Sequence, residues 1–79
     1  MDTLIGSLPQ NTLEEVRVHL KKFKGRDFWD IRYYSSLRTD QEKIPTGKGV
    51  LIDLRNWEEL KKLVAETERQ LSGRGTKNA

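Results

Sequence analysis

Between Val16 and Arg26 the chain places Arg17, His19, Lys21, Lys22, Lys24 and Arg26 around Phe23, with no carboxylate among them. Cations at alternate positions of a strand recur about 6–7 Å apart on one face of a sheet, comparable to the phosphate spacing of an extended single-stranded nucleic acid. Lysine and arginine bind phosphates by salt-sensitive counterion release. An aromatic ring exposed among them stacks a base of any identity, for roughly 1–3 kcal/mol. Phe23 shares the parity of Lys21 and His19, which predicts a ring on the wet side of its strand. The plainer reading of the same run is a solvated charged face, with Phe23 covering a hairpin end or a contact between copies.

Other chemistries lack their residues. His19 is the only histidine and has no nucleophile signal beside it, and the chain has no cysteine, so a catalytic triad, a thiolate or zinc site and a disulfide are not expected. Asp27 and Asp30 do not read as an acid–base pair, because Asp27 lies near a turn. Glu58 and Glu59 suit the first turn of a helix. Gly47-Lys48-Gly49 lacks the remaining spacing of a phosphate loop and precedes a strand rather than a helix. No enzyme activity, cofactor, metal or small-molecule substrate is expected.

The elements that must position the basic run follow from periodicity. Seventy-nine residues, 34% of them hydrophobic, support one modest core, and a homodimer is expected to complete its burial. Net charge is +3, but residues 16–55 carry ten bases against five acids, while residues 1–15 carry three acids and no base. Residues 1–13, with Gly6, Pro9 and Asn11, read as an irregular arm. Val16, Val18 and Leu20 alternate with the cations as a half-buried strand, and Gly25-Arg26 interrupts it as a hairpin connection. Trp29, Ile31 and Tyr33 alternate with Asp30, Arg32 and Tyr34 in a second strand. Residues 35–49 read as a loop with a short edge strand near Lys43–Pro45, followed by a strand at Val50–Leu54. Asn56 and Glu59 resemble a capping box opening an amphipathic helix through Leu71, with Trp57, Leu60, Leu63 and Val64 on its apolar side. Gly73 reads as its C′ residue, with a short tail beyond. The domain is therefore placed at 14–72, flanked by the arm at 1–13 and a tail at 73–79. The apolar runs are far shorter than the roughly 20 residues a membrane helix needs, and the start does not resemble a secretion signal. An intracellular protein is expected, in cytoplasm or nucleoid for a prokaryote or phage and in the nucleus for a eukaryote.

Lys21-Lys22-Phe23-Lys24-Gly25-Arg26, then Asp30-Ile31-Arg32-Tyr33-Tyr34, then Pro45-Thr46-Gly47-Lys48-Gly49-Val50-Leu51-Ile52 and Asn56-Trp57-Glu58-Glu59-Leu60, in this order and spacing, resemble the transcriptional coactivator p15 (PC4) C-terminal domain family over about residues 15–71. The resemblance implies an α+β fold, a four-stranded antiparallel sheet followed by one C-terminal helix (ββββα). It also implies a homodimer whose curved basic sheets bind single-stranded DNA with little sequence preference, in transcription, replication or repair. Position by position it implies DNA contacts at Lys21, Phe23, Lys24, Arg26, Arg32 and Lys48. Arg17, Lys22 and Lys43 are added from charge and location alone. The family commonly has an aromatic where Ser35 stands and a basic residue where Gly47 stands, so neither position carries over. Tyr34 is the candidate replacement platform if a bulge turns it outward. Two alternatives stay open: a module presenting the basic sheet to acidic partner proteins of the transcription machinery, and RNA binding.

Overall fold

The computed structural model describes residues 2–73. Four strands, β1 (Asp2–Pro9), β2 (Glu14–Phe23), β3 (Arg26–Ser35) and β4 (Ile44–Asp53), form one antiparallel meander in chain order. A 3₁₀ turn (Leu54–Asn56) leads into α1 (Trp57–Gly73). This is the expected ββββα architecture.

Period-two alternation sorts the side chains onto two faces. Val16, Val18 and Leu20 of β2 lie opposite Tyr33, Ile31 and Trp29 of β3. Trp29 and Ile31 in turn pair with Ile52 and Val50 of β4. This is the dry face. Trp57, at the start of α1, packs edge-on against Trp29, with ring centroids 5.4 Å apart and planes at 88°. Ring edge to ring face is the arrangement that aromatic quadrupoles favour.

Four expectations are corrected. The N-terminal arm is a strand: Thr3, Gly6 and Leu8 pair with Leu20, Val18 and Val16. Its alternation is hidden in the sequence because the register shifts between Leu4 and Gly6, leaving Ile5 as an extra residue that changes the parity. The loop with a short edge strand is instead the first half of β4. There Thr46, Gly47 and Lys48 stand against the single residue Tyr33, between the pairs Arg32↔Gly49 and Tyr34↔Pro45. Finally, Asp53 rather than Asn56 caps the helical segment, its carboxylate accepting from the Arg55 backbone N–H at 2.9 Å. That bond holds the Asp53 carboxyl below the usual carboxylate range. The helix also runs through Gly73 instead of ending before it. The expected tail, from residue 74 on, lies outside the described residues.

The β2–β3 hairpin turns at Lys24-Gly25, both with positive φ, 52° and 78°. A two-residue connection whose twist matches that of the strands requires this conformation, and Gly25 adopts it without a Cβ penalty. The turn puts Lys24 at the outermost point of the hairpin.

Among the described residues no apolar side chain is fully buried, and Val50, Leu63 and Val64 are more than half exposed. The single sheet with its helix measures 40 × 38 × 17 Å.

Candidate nucleic-acid interface

The face opposite the dry one carries Arg17, His19, Lys21 and Phe23 from β2, set against Arg32, Asp30, Phe28 and Arg26 of β3. Tyr34 is on this face too, opposite Glu15. Ordinary strand parity puts it there, and no outward-turning bulge is needed.

Two aromatic stations result. At the hairpin end Phe23 is 63% exposed, with the Lys24 ammonium 5.5 Å from its ring centre. Phe28 lies beside it, with the Arg26 guanidinium 5.8 Å from its ring centre. At the other end the Arg17 guanidinium sits 4.2 Å from the centre of the Tyr34 ring, and His19 stacks on Tyr34 at 5.9 Å and 29°. Phe23 lies six positions along β2 from Arg17, which corresponds to roughly 20 Å of strand. Both stations pair a π face with a cation, the combination that stacks bases and neutralises phosphates.

Between the stations lies a charged cluster. Asp30 is the one buried charged residue among the described residues, 5% exposed. Its Oδ2 is 2.9 Å from Lys21 Nζ, and its Oδ1 accepts from Arg32 Nε at 3.1 Å. Burial pushes the Asp30 carboxyl up, but the Lys21 hydrogen bond and the charges of Lys21 and Arg32 outweigh it and hold the group below its ordinary value. Donating that hydrogen bond to Asp30 raises Lys21.

The sequence run has no acid, yet the fold supplies several from neighbouring segments. Asp53 lies 3.5 Å from Arg26, Asp2 lies 3.8 Å from Lys21, and Glu15 accepts from Arg17. The Lys21–Asp2 pair is exposed and worth about 0–1 kcal/mol, while the Arg17–Glu15 pair and the Asp53 carboxylate are partly buried. Lys24, Lys43 and Lys48 have no carboxylate within ion-pair distance among the described residues.

The remaining expected contacts are placed unequally. Lys48 projects from the β4 bulge at the sheet edge, 4.8 Å from the centre of the Tyr33 ring, which belongs to the dry face. Lys22 differs from its neighbours in parity, which it shares with Val18 and Leu20, and stands opposite Asp27, whose carboxylate is 3.9 Å away, at the rim of the depression lined by Lys21 and Phe23. Lys43 sits in the connection before β4, at the end of β3 that carries Tyr34. Phe28 went unnoticed in the sequence although its parity, shared with Asp30 and Arg32, announces it.

The family model for Transcriptional Coactivator p15 (PC4) matches residues 11–63. A Caenorhabditis elegans protein named "Putative RNA polymerase II transcriptional coactivator" is 33% identical over 51 residues, 65% of this chain and 41% of that protein. The chain thus spans about two fifths of that relative's length. A PC4 homologue from Burkholderia pseudomallei shares the fold at a TM-score of 0.67 and 18% identity, over 86% of this chain and 98% of that one. The bacteriophage T5 homologue of the eukaryotic transcription coactivator PC4, implicated in recombination-dependent DNA replication, aligns at a TM-score of 0.57 and 26% identity, over 94% and 91% of the two chains.

Proposed function

The chain belongs to the Transcriptional Coactivator p15 (PC4) family, and from that premise we propose that it is a homodimeric, sequence-tolerant single-stranded DNA-binding protein acting where strands are opened for transcription, replication or repair. The observation that carries this reading is Phe23, a large apolar ring left 63% exposed at a hairpin end beside Lys21, Lys24 and Arg26. A ring in that position, among cations, serves stacking better than it serves the protein's own core. Tyr34, with Arg17 and His19, supplies the second station, and Arg32 adds positive charge along the path. Unpaired nucleotides fit because their bases are free to turn onto the rings, whereas a duplex keeps its bases stacked inside.

The second protomer would cover Leu63, Val64 and Val50, whose exposure supports association. The phage relative's link to DNA replication and the nematode relative's coactivator name support a role at opened DNA.

Fluorescence anisotropy with single- and double-stranded oligonucleotides of equal length, across a salt series, tests the reading. Single strands are expected to bind more tightly. Phe23→Ala is expected to remove roughly 1–3 kcal/mol of that affinity. Equal binding of both forms, or of heparin in place of DNA, would favour a polyanion or acidic-protein surface instead.

A further inference from the structure

A stripe of cations that binds a flexible chain needs no buried acid, yet this face is built around one. Asp30 stands mid-strand in β3, between His19 of β2 and Leu51 of β4. Its two oxygens are divided between Lys21 and Arg32, which come from different strands. Arg32 is held a second time by its Nη1, which donates to the Thr46 carbonyl in the β4 bulge at 3.1 Å. Gly49 lies directly against the same guanidinium: a Cβ there would stand 3.0 Å from Arg32 Cζ and 2.7 Å from the Ile31 carbonyl oxygen. The Arg32 head group therefore has a seat made of a carboxylate, a backbone carbonyl and a bare glycine. Its Nη2 has no protein acceptor among the described residues. Phe23, Phe28 and Leu51 line the same depression as Lys21, Asp30 and Arg32.

We propose that Asp30 is the positioning residue of this interface, fixing the Lys21 ammonium and the Arg32 guanidinium together as a two-cation seat for a single phosphodiester, with the adjoining base on Phe28 and Phe23. The proposal rests on the single-strand-binding reading above. Its physical basis is preorganisation: lysine and arginine lose much rotamer freedom when a ligand immobilises them, and a buried carboxylate that already holds both removes that loss from the binding step. Asp30 also repels an incoming phosphate, so the two effects oppose each other and the sign of a substitution separates them.

Asp2 provides the internal control, being an exposed carboxylate near the same Lys21 Nζ, 3.8 Å away. Asp2→Asn and Asp30→Asn each remove one negative charge from beside that ammonium. Simple electrostatics tightens binding in both. Positioning by Asp30 instead predicts opposite signs. Anisotropy with a fluorescent oligothymidylate, across a salt series and at a temperature where melting curves show every variant folded, is expected to give equal or tighter binding for Asp2→Asn. For Asp30→Asn it is expected to give at least fivefold weaker binding, with a salt slope shallower by about 0.7, the increment of one single-strand phosphate. Asp30→Glu keeps the charge but shifts its reach, and is expected to fall between wild type and Asp30→Asn. Asp30→Asn binding as tightly as wild type or tighter overturns the proposal. If Asp30→Asn does not fold, Asp30→Glu decides: unchanged affinity overturns the proposal and weakened affinity supports it. Wild-type protein that fails to bind the oligonucleotide overturns the functional reading itself, and this proposal with it.

Discussion

Tyr34 and Phe28 anchor opposite ends of one face, and their surroundings predict different losses on truncation. The Tyr34 ring contacts both Arg17 and His19, so Tyr34→Ala removes a platform and also the ring beneath the Arg17 guanidinium, which Glu15 still holds. Phe28→Ala leaves Phe23 in place as a neighbouring ring. We expect Tyr34→Ala to weaken single-strand binding by about 1–3 kcal/mol and Phe28→Ala by less, measured by the same anisotropy titration. The Lys21–Asp30 pair has a further consequence for stability. A carboxyl lowered in the folded chain contributes stability that is present above its unfolded value near 4, and it is lost as pH falls through the folded value. A raised lysine contributes stability that is present below about 10.4 and lost as pH rises through the folded value. Both shifts occur here. Melting temperature is thus expected to be level between about pH 5 and pH 10 with respect to this pair and to fall on either side, with Asp30→Asn flattening both shoulders. These pairings were invisible along the chain because Asp30 meets Lys21 only through the β2–β3 register, nine residues apart in sequence.

The β2–β3 hairpin was legible because each half alternates cleanly and Gly25 marks the reversal. Both edge strands were harder to read, for different reasons. The single extra residue Ile5 shifts the parity of β1, whereas in β4 the parity is kept and it is Pro45, Gly47 and Gly49, with Thr46–Lys48 bulged against Tyr33, that hide a continuous strand. The helix was plain from its apolar spacing, but its cap was not. The 3₁₀ turn moves the stop-and-start point back to Asp53, three residues before the asparagine that the pattern favours. At the hairpin tip, charge and backbone shape are separable. Lys24 holds a φ of 52° that asparagine adopts more easily. Lys24→Asn is therefore expected to leave the melting temperature equal or slightly higher while lowering the salt slope by about 0.7, the value for one phosphate. A fall in both would mean that the lysine stabilises the turn itself.

As a whole the protomer is open. Its radius of gyration, 15.2 Å, exceeds the roughly 12 Å of a compact domain of this length, because α1 touches the sheet mainly through Trp57 and leaves Leu63 and Val64 uncovered. Covering such side chains stabilises by roughly 1.5–3 kcal/mol each. In sedimentation equilibrium the wild-type chain is expected to show the mass of two copies and Val64→Glu that of one. The variant should also bind oligonucleotides more weakly, since one sheet replaces two. A persistent two-copy mass in Val64→Glu would move the contact elsewhere on the protomer. The irregularities that obscured the edge strands have a bearing on this open shape. A lone flat sheet with free rims invites endless lateral addition of further chains, the route to fibrils. Here the β1 rim is bent at Ile5 and finishes in Pro9, and the β4 rim carries Pro45 and a three-residue bulge, so neither border offers a straight ladder for a stranger to extend. The same kinks that conceal these strands from a reader of the sequence keep crowded copies from knitting into ribbons.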